Sequence, residues 1–196
     1  MNFEVLSALI VFAFVSSITP GPNNLMLMNS GANFGFKKTI PHMLGVGIGF
    51  TLMIALVGLG VIKLFDAFPL SYDILKVLSI LYLLYLAFKI ASSTGNLEQK
   101  SSSSKPFNFI QAALFQWVNP KAWTMALTSI SIYAPSKDLS AVLFVAMVFG
   151  IVNLPCISFW IVLGQKIQVL LTDQKRLRAF NISMALLLIL SLYPAL

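Results

Sequence analysis

The sequence predicts an all-α integral membrane protein whose six transmembrane helices form two inverted repeats of three helices each. Composition is the first reason, because 58% of the 196 residues are hydrophobic and 10% are charged, too few charges to cover a water-facing surface. The second reason is that uncharged stretches recur, each near the ~20 residues that a helix needs to span a bilayer. The third is that one such stretch in each half contains a proline-centred break, as in transporters built from inverted repeats.

The uncharged stretches give the six spans in chain order. They are 5–36, 39–62, about 70–90, 106–120 with 122–136, 139–165 and 179–196. Because no Lys or Arg precedes the first apolar region, we expect a retained first span rather than a cleaved signal peptide. Residues 1–92 then form the first repeat and 109–196 the second, within one membrane domain. Between them, 93–108 is Ser-rich and poor in apolar residues, which predicts a cytoplasmic linker that does not fold alone.

Basic residues in the loops predict the orientation of the spans. With the N-terminus outside, nine of these residues fall on the cytoplasmic side and three on the outer side. The cytoplasmic ones are Lys37, Lys38, Lys89, Lys100, Lys105, Lys166, Lys175, Arg176 and Arg178, and the outer ones are Lys63, Lys76 and Lys137. The positive-inside rule therefore places both termini outside. The net charge of +7 is then explained by loops that lie beside the lipid surface, and we expect no nucleic-acid partner.

The two proline-centred breaks lie in similar segments. "FVSSITPGPNNLMLMNSGA" (14–32) and "LFQWVNPKAWTMALTSISI" (114–132) each contain a proline and polar residues near the middle of a long apolar stretch. Pro22 and Pro120 are 98 positions apart, which is half the chain length. With three spans in each half, the second half crosses the membrane in the opposite direction, and the broken helices meet near the bilayer midplane.

The breaks predict a binding cavity for an anion. Lipid cannot satisfy the freed backbone groups, so a broken helix at membrane depth must face protein or a water-filled cavity. Pro22 and Pro120 suit the first position of a new half-helix, with Gly21 and Asn119 as the residues that cap it. Each half-helix start carries unpaired N–H groups and about half a positive charge. Two starts that point at one cavity from opposite sides can hold a carboxylate.

Lys121 adds a full positive charge to this cavity. It is the one ionisable residue that we place near the centre of a span, where a charge costs at least ~2.5–3.5 kcal/mol and is usually functional. No Asp or Glu falls in the middle of a span, so we expect a substrate carboxylate to balance this lysine. The alternative is that Lys121 extends to a membrane interface and Pro120 merely kinks a helix.

Polar and aromatic residues around the breaks complete the candidate site. The predicted substrate-binding residues are Pro20, Gly21, Pro22, Asn23, Asn24, Asn119, Pro120 and Lys121, and the candidates to line the cavity are Asn29, Asn153, Trp117 and Trp123. The alternatives are that the asparagines hydrogen-bond between helices and that the tryptophans lie in an interfacial belt. Asn153 and Pro155 could also mark a kink that neighbouring helices satisfy. His42, near the cytoplasmic start of the second span, is interpreted as an interfacial polar residue.

No catalytic residue, metal or cofactor is expected. Cys156 is the only cysteine, which excludes disulfides within the chain and Cys-rich metal sites. The sequence also lacks the carboxylate pair, His cluster or nucleophile–base pairing that enzyme chemistry requires.

At the two breaks the chain resembles a known family. "TPGPNNLMLMNSGANFGFKKTIPHMLGVGIG" is similar to the N-terminal signature of the LysE/RhtB amino-acid exporters, and "FQWVNPKAW" is similar to their second Asn-Pro-Lys motif. Segments 81–93 and 152–171 look closest to the cysteine/O-acetylserine exporter branch. The resemblance covers essentially the whole chain, and it carries the family's motif residues over to 20–24 and 119–121.

The resemblance implies a multi-pass carrier in the bacterial inner membrane that moves small amino acids or their derivatives outward, driven by a coupling proton. A proton-coupled carrier usually needs a titratable group on its path. Within this chain the candidates are Lys121, His42, Glu4 and Asp66, unless the coupling is to another ion.

The leading hypothesis is therefore export of a small amino acid by alternating access about the two breaks. A passive channel for amino acids or other small solutes is the first rival, because it would share the broken helices. A membrane-embedded enzyme and a non-transporting scaffold are further alternatives. The sequence leaves open which amino acid is moved, which ion drives it and how many copies of the chain assemble.

Overall fold

A computed structural model describes residues 3–92, 106–134, 136, 138–171 and 173–191. Every regular element among these residues is helical, which confirms the prediction of an all-α protein for this part of the chain. Most of the predicted linker, 93–105, lies outside the described residues.

The helices follow one another with few intervening residues. They are α1 (Phe3–Ile18), α2 (Pro22–Phe34), α3 (Phe36–Leu56), α4 (Ile62–Ala67), α5 (Leu70–Ala91), α6 (Phe109–Phe115), α7 (Pro120–Tyr133), α8 (Leu139–Gln168) and α9 (Gln174–Leu190). A π-helical turn, Val57–Val61, joins α3 to α4, and a 3₁₀ turn, Gln116–Val118, extends α6.

Three helical segments are long and apolar enough to cross a membrane. They are Phe36–Ala67, which combines α3, the π turn and α4, together with α5 and α8. The pair formed by α1 and α2 makes a fourth if it is counted as one span, bent by 55°. By length and composition the described residues thus provide three or four spans, and the six-span arrangement with an inverted repeat stays a prediction.

The structure places helix starts at both predicted breaks. Pro22 and Pro120 each occupy the beginning of a helix, where the missing N–H of proline has no cost. Gly21 is the capping residue of α2 in an extended conformation without a side-chain cap. Asn119 caps α7, because its Oδ1 accepts a hydrogen bond from the backbone N–H of Lys121 at 3.1 Å. The predicted helix starts and both capping positions are confirmed, and the position of the breaks within membrane spans stays a prediction.

Helix α8 lies at the centre of the packing and contacts α1, α2 and α3. It crosses α2 at a short distance because a glycine on each of these two helices faces the backbone of the other helix. A Cβ built on Gly31 would lie 2.3 Å from the carbonyl oxygen of Ile161, and one on Gly164 would lie 2.0 Å from that of Met28. No side chain fits at either position, so this crossing requires small residues.

Helix α6 is held against α3 in the same way. A Cβ on Gly45 would lie 2.3 Å from the carbonyl oxygen of Phe109, and one on Gly49 would lie 2.6 Å from Cα of Ala113. These two glycines are four residues apart and therefore share one face of α3. Their contact with α6 fixes the helix that leads into the second break.

The outer surface is strongly apolar on several helices, as lipid contact requires. On α5 alone the exposed large apolar side chains include Leu70, Ile74, Val77, Leu78, Leu81, Leu84 and Phe88. The most apolar part of α5 has 22% of its residues buried inside the protein. A helix of this composition is stable only if its outward face contacts lipid or another apolar surface.

Candidate functional site

The side chain of Lys121 connects the two breaks. From the first turn of α7, its Nζ donates hydrogen bonds to the carbonyl oxygen of Thr19 at 2.7 Å, to Thr19 Oγ1 at 2.9 Å and to the carbonyl oxygen of Pro20 at 3.3 Å. Thr19 and Pro20 immediately follow α1 and precede α2. The ammonium therefore points into the first break, and the segments 98 positions apart in the sequence meet here.

These contacts provide internal partners for the charge of Lys121. An ammonium has three N–H donors, and three oxygens beside the end of α1 lie within reach of them. The end of a helix carries about half a negative charge, which stabilises a nearby cation. No carboxylate among the described residues forms an ion pair with Lys121. The groups that compensate the charge are thus neutral oxygens.

Gly21 allows the lysine to lie this close. A Cβ built on Gly21 would be 2.6 Å from Cδ and 3.1 Å from Nζ of Lys121. The side chain of Lys121 therefore runs across the capping position of α2. This close approach explains in steric terms why a glycine stands between the two prolines.

A pair of amides forms a second connection between the breaks. Asn23 Nδ2 donates to Gln116 Oε1 at 2.8 Å, and Gln116 Nε2 donates to Asn23 Oδ1 at 3.1 Å. Gln116 is fully buried, at 0% exposure, whereas Asn23 is partly buried. Sequence reasoning missed Gln116, although a polar residue in an apolar run, four positions before Pro120, was a usable signal.

Asn24 closes the end of α1. Its Nδ2 donates to the carbonyl oxygens of Ser17 and Thr19, each at 2.8 Å. Both oxygens belong to the last turn of α1 or the residue just after it, where helix carbonyls lack intrahelical partners. Asn24 therefore fixes the angle between α1 and α2 and the position of the oxygens that face Lys121.

A small cavity lies between the two breaks. Of the residues predicted for the site, Gly21, Asn23, Asn24, Asn119, Lys121 and Asn153 line it, and sequence reasoning missed Ser16, Ser17, Phe50, Ala122, Met125 and Ile157. Its volume open to water is about 20 Å³, enough for about one water molecule. Small-molecule sites that hold their ligand are larger, at ~300–1,000 Å³. The structure thus brings the polar groups together around a space smaller than such a ligand.

The three prolines of the breaks are not among the residues that line this cavity. Pro20 is exposed, Pro22 is buried, and Pro120 borders a separate gap between α5 and α7. Their structural effect is to end and restart the helices, which places Gly21, Asn119 and Lys121 at the cavity.

Asn29 lies away from the cavity and connects α2 to α9. Its Nδ2 donates to Asn181 Oδ1 at 3.0 Å, and the Nδ2 of Asn33 donates to the carbonyl oxygen of Asn29 at 2.8 Å. Asn29 was a candidate either to line the cavity or to form a hydrogen bond between helices, and these contacts fit the second interpretation.

Trp117 and Trp123 pack against each other outside the cavity. Their rings meet edge to face with centroids 5.8 Å apart, and Trp123 Nε1 donates to the carbonyl oxygen of Trp117 at 2.9 Å. The ring of Trp123 also contacts that of Phe65, with centroids 5.1 Å apart. The pair covers the second break from the side of the π turn and α4.

His42 is buried, at 2% exposure, so its ring lies inside the helix packing rather than on the outer surface of the protein. Its ring packs against the ring of Phe107, with centroids 5.3 Å apart. Neither ring nitrogen has a hydrogen-bond partner among the described residues. Phe107 lies just before α6, a contact between distant segments that local sequence patterns do not reveal.

Asp138 is one of the acidic residues that lie at the end of a helix. The hydroxyls of Ser136 and Ser140 and the backbone N–H of Ala141 donate to its carboxylate, which keeps the pKa of Asp138 well below its usual range. The carboxylate therefore stays ionised at neutral pH and caps α8. The described acids Glu4, Asp66, Asp73, Asp138 and Asp173 are all exposed.

Comparisons with known proteins agree on the class of this chain. The sequence model of the family described as LysE type translocator matches residues 14–191. The chain is 27% identical over 191 residues to the cysteine/O-acetylserine efflux proteins of Escherichia coli (strain K12) and Shigella sonnei (strain Ss046), with 96% of each protein covered. No solved structure matches. With a match that includes both breaks and almost all described helices, the chain belongs to the LysE type translocator family and is a membrane transporter rather than an enzyme.

Proposed function

We propose that this protein is a secondary transporter that exports a small polar amino acid or a derivative of one across the bacterial inner membrane. The observation that carries the proposal is the Lys121 ammonium, which lies between two helix starts at a polar cavity. Relatives named as cysteine/O-acetylserine efflux proteins favour substrates of that size and polarity.

In this proposal the substrate carboxylate binds where the oxygens of Thr19 and Pro20 now meet Lys121. A full negative charge forms a stronger hydrogen bond with an ammonium than a neutral carbonyl does. The unpaired N–H groups at the starts of α2 and α7 add positive potential. The carboxylate thus competes with the end of α1 for the same three N–H groups.

This competition gives a route to alternating access. While Lys121 is bound to Thr19 and Pro20, it ties α7 to the end of α1, and the cavity holds about one water molecule. A substrate that takes the ammonium releases this tie, which lets the two broken helices separate. We place this event within six spans related by an inverted repeat, with both termini on the outer face.

The proposed driving force is the proton gradient. Among the described residues, His42 and Lys121 are titratable groups inside the helix packing, whereas the acids lie at exposed positions. A group that gains and loses a proton during transport needs access to both sides of the membrane in turn. We therefore expect the coupling proton to use His42 or Lys121.

Transport into inside-out vesicles tests the proposal. Vesicles that contain the overproduced protein are given a panel of small amino acids, including cysteine and O-acetylserine, with the proton gradient present or collapsed by an uncoupler. An exporter accumulates its substrate against the gradient only when the vesicles are energised. Equal, downhill flux in both conditions would show the passive channel instead, and no flux for any compound would contradict transport of amino acids.

A further inference from the structure

Ser17 has a buried hydroxyl without a partner. Its side chain is 3% exposed, and its Oγ has no hydrogen-bond partner among the residues that the structure describes. Helical serines usually bond to a carbonyl of the preceding turn, as neighbouring Ser16 does with that of Phe12. Ser17 does not, and it lines the cavity. A buried polar group left without a partner is costly, so its retention requires a reason.

Asn153 contributes a second polar side chain, from the opposing helix α8. It is 4% exposed and lines the same cavity. Over the described ranges, no hydrogen bond joins its side chain to another residue. Its amide carries two donors and an acceptor oxygen with two lone pairs. Two helices thus each contribute one unsatisfied polar side chain to a cavity that also contains Lys121.

From these observations we infer that Ser17 and Asn153 form a subsite for the α-ammonium group of the substrate. The inference rests on the proposed function, because it assigns the other half of a zwitterion whose carboxylate binds Lys121. An ammonium needs acceptors, which Ser17 Oγ and Asn153 Oδ1 supply. The residues that line the cavity include no carboxylate, so neutral oxygens must hold this group.

The charges fix the direction in which the amino acid binds. Lys121 repels the α-ammonium and attracts the carboxylate, while the subsite accepts hydrogen bonds from the ammonium. The apolar side chains of Phe50, Met125 and Ile157 also line the cavity. A simple carboxylic acid satisfies Lys121 but leaves Ser17 and Asn153 without partners, so the site discriminates against it.

Two substitutions, Ser17→Ala and Asn153→Leu, test the subsite in the full-length protein. Each removes a polar group that has no partner to lose, so the thermal midpoint in detergent should stay the same or rise. Export in vesicles should nevertheless show a KM raised at least tenfold. Competition gives the second readout, with cysteine and 3-mercaptopropionate, which is cysteine without its amino group. In the unaltered protein, cysteine should compete with the transported substrate far better than 3-mercaptopropionate does. In each variant, the difference between these two competitors should be smaller.

Two partnered residues away from the cavity serve as matched controls. Ser129 Oγ donates to the carbonyl oxygen of Ala126, and Asn181 accepts from Asn29. Ser129→Ala and Asn181→Leu should lower the thermal midpoint and leave KM unchanged at equal protein level. The inference is overturned if the Ser17 and Asn153 variants keep the KM and cysteine preference of the unaltered protein, or lose stability as the controls do. If the unaltered protein accumulates no amino acid at all, the proposed function itself fails.

Discussion

The amides of Asn23 and Gln116 hold each other in one orientation, because each donates a hydrogen bond to the other. Gln116 Nε2 also donates to the carbonyl oxygen of Ala112 at 2.9 Å. Because only the amide nitrogen can donate, this bond fixes the orientation of the Gln116 amide. The pair connects the first turn of α2 to the turn that precedes the second break. Together with Lys121, it makes the two breaks one structural unit.

The first prediction follows from this pair. Gln116→Leu leaves the partly buried amide of Asn23 with fewer partners, so we expect the protein to lose about 1–3 kcal/mol of stability. If Gln116 acts through Asn23, the same substitution should cost little in an Asn23→Ala background, with a coupling of about 0.5–3 kcal/mol. Unfolding in detergent is measured for the unaltered protein, the two single variants and the double variant. Additive effects would contradict the pairing.

A second prediction concerns Lys121. We expect Lys121→Ala to abolish export while the protein remains in the membrane at its normal level, because the substrate carboxylate loses its charged donor. Vesicle uptake and quantification of the membrane-inserted protein measure the two parts. Lys166→Ala is the control, since this exposed lysine lies near the end of α8, and its export should be unchanged. Normal export by a well-expressed Lys121→Ala variant would remove the proposed carboxylate site.

Local rules made the two breaks predictable. Proline disrupts the helix that precedes it and suits the first turn of the next, so Pro22 and Pro120 fix helix starts whatever surrounds them. Lys121 was recognisable as a candidate site residue because a charge in an apolar run requires a reason. Its three oxygen partners were not, since they depend on how the end of α1 is placed against α7.

Residues whose importance comes from distant contacts escaped prediction. Gln116 bonds to a residue 93 positions away, and nothing in its immediate sequence indicates that partner. Ser17 is inconspicuous in a helix, and its significance appears only when its hydroxyl is found buried without a partner. Trp123 was an attractive candidate for the cavity by proximity to Pro120, yet it shares that proline's face of α7, which borders the gap beside α5 rather than the cavity, and its ring packs on Trp117.

A third prediction concerns the glycine between the prolines. The backbone of Gly21, with φ −175°, is extended and open to any residue, so the effect of Gly21→Ala comes from the collision of its Cβ with Lys121. We expect about 1–3 kcal/mol of destabilisation from this crowding and reduced export, measured by unfolding and vesicle uptake.

Gly47→Ala provides the comparison for that substitution. A Cβ there would meet its nearest neighbours at 3.7 Å, an ordinary contact. Since alanine is favoured over glycine in a helix by about 0.5–1 kcal/mol, this variant should be as stable as the unaltered protein or more so. If Gly21→Ala behaves like Gly47→Ala, the lysine does not depend on the space that Gly21 leaves.

The fourth prediction separates stability from coupling at His42. Its two ring nitrogens have no hydrogen-bond partner in the described part of the chain, so replacing it by a similar apolar ring removes a desolvated polar group and breaks no bond. We therefore expect His42→Phe to unfold at the same temperature as the unaltered protein or at a higher one. A lower midpoint would mean that the imidazole has a stabilising partner.

Transport by this variant then identifies the proton carrier. Phenylalanine cannot bind a proton, so a coupling that uses His42 should leave downhill flux in vesicles while energised accumulation disappears. Accumulation that persists would exclude His42 as the proton carrier and leave Lys121 as the other candidate that we propose. Because the carboxylate binds the ammonium form of Lys121 in the proposed mechanism, the proton on this side chain would favour substrate binding rather than compete with it. Binding of substrate to the protein should in that case weaken as the pH is raised and Lys121 loses its proton.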